Sequence, residues 1–130
     1  MENLHDNEKP LKHKILIFGR EAAFDNVLES FLKDEFNCEA LIENSDILYD
    51  KIINEYRPNL ILVTTCRKGV LIERIKENPS ISHIPIIYLS GAASPEDFKA
   101  SSADYCLSKP VDVFLLIEIV GRHLEQSKRL

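Results

Sequence analysis

The sequence predicts an α/β fold, a single doubly wound sheet of five parallel strands with helices on both faces. Three observations carry this. Five short runs are apolar without internal alternation, KILIF, CEALI, NLILVT, IIYL and YCL; a strand covered on both faces has no solvent side to mark with polar residues. Between the runs lie stretches with apolar residues at helical spacing. The length of 130 residues, with 45% hydrophobic and 28% charged, suits one domain with a real core. Right-handed crossovers then leave a doubly wound sheet as the default.

The elements follow in order. Residues 1–12 are polar and charged and read as a flexible tail, with one domain over 13–126. The first strand is 14–18, and the first helix, 22–36, repeats apolar residues through Ala23, Val27, Leu28, Phe31 and Leu32. The second strand is 38–42. A helix then begins at Ser45, a serine suited to capping, and carries Ile47, Leu48, Ile52 and Ile53. The third strand, 59–64, precedes a helix over 70–76 that Asn78-Pro79 shortens. The fourth strand, 86–89, is entered through Pro85, and Ser94-Pro95-Glu96-Asp97 opens a short helix. A brief fifth strand, 105–107, leads to a last helix over 111–126.

Composition excludes several classes. No apolar run approaches the roughly 18 residues of a membrane span, and the N-terminus lacks the apolar stretch of a signal peptide, so a cytoplasmic protein is expected. A net charge of -5 and a pI near 5.4 argue against nucleic-acid binding. Cys38, Cys66 and Cys106 show neither disulfide nor zinc spacing and read as reduced, mostly buried thiols. A redox role for Cys66 and Cys106 is a minor alternative, resting on Arg67 and Lys68 beside Cys66. The four glycines form no phosphate-cradling loop.

In this architecture function sits beyond the carboxyl ends of the strands. The corners there are 19–21, 64–66, 90–91 and 108–110. The stretches KILIF, RPNLILV, IPIIYLSG and ADYCLSKP, in that order, resemble those of the response-regulator receiver family of two-component signalling, over about residues 13–125. The resemblance implies a flavodoxin-like strand order 2-1-3-4-5. It also implies phosphoryl transfer onto an aspartate ending the third strand, magnesium held by two acids after the first, a hydroxyl ending the fourth, and a Lys-Pro pair ending the fifth.

Carried over by position, the hydroxyl is Ser90 and the lysine is Lys109, followed by Pro110. The acceptor position holds Thr64, with Thr65 beside it, and the acidic pair falls on Gly19 and Arg20, leaving Glu21 as the nearby acid. Magnesium needs several oxygen ligands, and phosphoryl transfer needs such a cation. A threonine hydroxyl is nearly inert without an activating base, and no histidine lies in the four corners. Thr64 and Thr65 then also read as strand-end residues satisfying local backbone groups. The segments after Thr64 and between Ser90 and Lys109 are shorter than is usual in the family. Its aromatic switch position falls on Cys106, with Tyr105 adjacent.

Arg20 and Lys109 should approach one small pocket, where two cations repel unless compensated. Glu21 compensating them, Arg20 replacing the metal charge, and an anion held between the cations are the alternatives.

On the last helix, Leu116, Ile117, Val120 and Leu124 are expected to face the sheet. Phe114, Leu115 and Ile119 would then form an outward apolar stripe for a protein partner or a homodimer, unless the helix is rotated and they are core. The expected protein is a pseudo-receiver that works as a phosphorylation-independent interaction module, not an enzyme, with no metal, cofactor, membrane or nucleic-acid partner. The alternatives are a regulator phosphorylated at an atypical site and a small flavodoxin-like ligand-binding protein.

Overall fold

A computed structural model describes residues 12–64, 70–91, 96 and 101–129. The strands are β1 (His13–Phe18), β2 (Cys38–Glu43), β3 (Leu60–Val63), β4 (Ile86–Ser90) and β5 (Tyr105–Ser108). Among the described residues the helices are α1 (Ala22–Glu35), α2 (Tyr49–Tyr56), α3 (Val70–Glu77) and α4 (Val113–Arg129). All strand pairs are parallel, in the order β2-β1-β3-β4-β5, so the predicted sheet is the observed one.

Alternate residues of each strand feed two cores. Ile15, Ile17, Leu60, Leu62, Ile87, Leu89 and Leu107 join α1 and α4 on one face. Leu16, Phe18, Ile61, Val63, Ile86 and Tyr88 join α2 and α3 on the other. β3 is buried at every residue, which is why its four positions are all aliphatic. Lys76 ties the second layer down: its ammonium donates to the Ser82 and Ile84 carbonyls and to Asp104, whose carboxylate also accepts the Ile86 amide.

Four local expectations are corrected. In α1 the inward residues are Asp25, Leu28 and Leu32, whereas Ala23 and Val27 face solvent. Ser45 does not cap α2. Its hydroxyl accepts the Ile47 amide two residues on, the helix begins at Tyr49, and Ile47 and Leu48 are exposed. The last helix begins two residues late, because the Asp112 carboxylate accepts the Leu115 amide and so makes Asp112 its N-cap. α4 is also turned relative to expectation. Ile119 is buried at 1% exposure with Leu116, Val120 and Leu124, Ile117 is only half-buried, and Leu115 packs against the core from its edge. Of the three residues assigned to an outward stripe, Phe114 alone is fully exposed, at 84%. The helix opened by residues 94–97 lies outside the described residues apart from Glu96.

Candidate functional site

The carboxyl ends of β1, β3, β4 and β5 meet in one corner. Parallel pairing places them there: the Thr64 amide donates to the Phe18 carbonyl, Gly19 to Glu43, and Lys109 to Ser90. Thr64 follows directly on β3 and is 2% exposed. Its hydroxyl donates to Asp25 Oδ1 at 2.7 Å, and the Phe18 carbonyl stands at a longer 3.4 Å.

Asp25 is the residue that sequence reasoning missed. It lies in the first turn of α1 and is 1% exposed, yet its Oδ2 accepts no hydrogen bond from a described residue. The amino end of a helix carries partial positive charge, which helps a carboxylate tolerate such burial. Space for it comes from Gly19. A Cβ at that position would stand closer than 3.0 Å to Thr64 Oγ1 and to both Asp25 oxygens. The Asp25 carboxylate therefore occupies the volume into which a side chain on residue 19 would project. Its inward phase with Leu28 and Leu32, three and seven residues on, was a signal present in the sequence.

Lys109 is held on three sides. Its ammonium pairs with Glu21 at 2.5 Å, donates to the Thr64 carbonyl at 3.2 Å, and lies 4.3 Å from the centre of the Phe24 ring. Glu21 is thus the compensating acid. Arg20 is exposed. Ser90 ends β4 opposite Ser108, and Pro110 follows Lys109 through a cis bond. Cys106 is half-buried opposite Tyr88, with its sulfur 3.5 Å from Ser101 Oγ. Tyr105 is 38% exposed and projects to the opposite face of the sheet from Cys106. Thr65 and Cys66 lie outside the described residues.

The residues present do not fit a magnesium ion. Glu21 is committed to Lys109, and Asp25 has one oxygen engaged by Thr64. Among the described residues no group of three or more His, Cys, Asp or Glu side chains is arranged to hold a metal. Magnesium demands a nearly complete octahedron of oxygens and waters.

Comparison with known proteins places the fold in a context. No family model matches the chain. A probable cyclic di-GMP phosphodiesterase of Vibrio cholerae is 37% identical over 87 residues, 61% of this chain. The chain spans about a fifth (19%) of that relative's length. The signal receiver domain of a histidine kinase from Syntrophus aciditrophicus superposes with a TM-score of 0.80 at 22% identity, covering 91% of this chain and 94% of its own. The signal receiver domain of a DNA-binding response regulator from Colwellia psychrerythraea superposes at 0.79 and 21%, covering 88% and 99%. The five-stranded sheet with its 2-1-3-4-5 order is thus the fold of response-regulator receiver domains.

Proposed function

We propose that this chain is a receiver-like signalling module that acts through protein contacts and takes no phosphoryl group at the end of β3. One observation carries the reading: the acceptor position is Thr64, a buried hydroxyl already donating to Asp25. A nucleophile in that state has, among the described residues, no base to receive its proton other than a carboxylate, and the ammonium beside it, Lys109, is already paired with Glu21. The similarity to a stretch of a cyclic di-GMP phosphodiesterase supports a place in signalling, with that catalytic activity belonging to the relative. On the last helix, Val113 at 46% and Phe114 at 84% exposure offer an apolar contact for a protein partner or a second copy.

Incubation with acetyl phosphate and magnesium, followed by intact mass measurement, tests the central claim. The expected result is no covalent phosphoryl adduct. An adduct lost in Thr64→Ala, or one lost in Asp25→Asn, would overturn the proposal and name the acceptor.

A further inference from the structure

We infer that Gly19, Asp25, Thr64, Glu21 and Lys109 form a self-contained latch that closes the corner of the sheet, with Asp25 supplying the buried anion and Lys109 the cation, so that the site takes no divalent metal. The inference deepens the receiver-like reading and rests on it only for the identity of the corner.

Three features carry it. Asp25 enters from α1 rather than from the strand end, and Gly19 admits it by having no side chain to compete for the space. The Thr64 hydroxyl ties Asp25 to the end of β3. Lys109 then joins the end of β5 to the same point through the Thr64 carbonyl, and to the entry of α1 through Glu21 and the Phe24 ring. An ammonium in contact with the strand-end carbonyl and a glutamate presents positive charge to two oxygens that a hard cation would need. Four segments, the end of β1, the start of α1, the end of β3 and the end of β5, are thereby held in one arrangement without any ligand. Gly19 is the specificity-determining position: a side chain there and the Asp25 carboxylate exclude each other.

The latch makes a testable statement about coupling. Replacing both Asp25 and Thr64 by alanine removes the two buried partners together, which leaves neither side of that hydrogen bond orphaned. In that emptied background Gly19→Asp should cost clearly less than in the wild type, because its side chain enters vacated volume in place of colliding with Asp25 and Thr64. In the wild-type background the same substitution should lower the midpoint sharply or abolish cooperative unfolding. Gly19→Ala provides a second, milder pair: a clear fall in the wild type and little or none in the emptied background. In a parallel titration, millimolar magnesium chloride alone should leave the wild-type midpoint unmoved. Equal effects of the residue-19 substitutions in both backgrounds, or stabilisation of the wild type by magnesium, would overturn the latch. None of these readouts uses a phosphoryl donor or a partner. An acetyl-phosphate adduct would therefore sink the proposed function while leaving the coupling result to stand or fall by itself.

Discussion

The hydroxyl of Thr64 and the carboxylate of Asp25 are each the other's closest hydrogen-bond partner in a nearly dry site. Removing one side is therefore much worse than removing both, since a buried group left unsatisfied retains its full desolvation cost. Thr64→Val keeps the shape and deletes the donor, leaving Asp25 without the hydrogen bond that the Thr64 hydroxyl gives it. It should destabilise by at least about 3 kcal/mol in urea unfolding, because the orphaned group is charged. The double variant Asp25→Ala with Thr64→Val should recover most of that loss. A single-variant cost below about 1 kcal/mol would mean that the Asp25 carboxylate is satisfied some other way. The Glu21–Lys109 pair contributes far less to stability, because the glutamate is 58% exposed and such pairs yield at most about 1 kcal/mol.

At the level of elements, the strands were legible and the helix phases only in part: Leu28, Leu32, Leu116, Val120 and Leu124 face inward as expected, whereas Val27 and Ile119 do not follow the expected phase. A strand buried on both faces announces itself as an unbroken aliphatic run, as in the LILV of β3, and no packing partner can change that reading. A helix must choose one side. In α4 the segment VFLLIEIV is apolar at seven of eight positions, so periodicity alone gives it no orientation. Packing against α1 and the sheet selects Leu116, Ile119, Val120 and Leu124, at spacings of three, one and four. The same competition put Asp25 inward and Val27 outward in α1, where the residues alone favour the reverse. The corners were legible from topology, since Thr64, Ser90 and Lys109 all stand at strand ends. The occupant of the corner was not, because it depends on an absent side chain at Gly19 in one segment and a present one at Asp25 in another. The corrected phase separates two substitutions on α4. Ile119→Glu should unfold the domain or cost several kcal/mol, as burying an unpaired charge does. Phe114→Asp should move stability by no more than about 0.5 kcal/mol while weakening self-association or partner binding. Denaturant melts and light scattering on the pair check both, and a stable Ile119→Glu variant would contradict the observed rotation.

For the whole molecule, the two ends of the sheet respond to different conditions. The carboxyl ends hold the latch. Near the amino ends, Tyr56 closes α2 against β1, where the Lys14 ammonium donates to its carbonyl and lies 5.4 Å from its ring centre. Burial, followed by the negative charges of Glu39, Cys38 and Glu29, pushes the Tyr56 phenol from 10.0 up to about 12. Burial also raises the Cys38 thiol, against the opposing pull of Lys33 and Lys12. In both groups the folded state keeps a proton that the unfolded chain has already released. Their contributions are complete below the unfolded values and decline as the pH rises, for Tyr56 across the interval from about 10 to about 12. Global stability should therefore fall on the alkaline side, and Tyr56→Phe should make that fall shallower. Urea midpoints measured from neutral pH to pH 11 would show it; parallel curves for the two proteins would rule it out.

Gly19 also bears on how kinship is judged on this fold. Scored residue against residue, the end of β1 offers Gly19 and no carboxylate at that position. Measured as charge within the corner, a carboxylate is there, because Asp25, rooted six residues later, fills the volume into which a side chain on residue 19 would project. A buried charge has an address in space, and the covalent position that delivers it can drift from strand to helix when a neighbour gives up its side chain. A chain that delivers its charge this way looks poorer in its motifs than in its electrostatics, and the field at the corner is then the fuller description of the site.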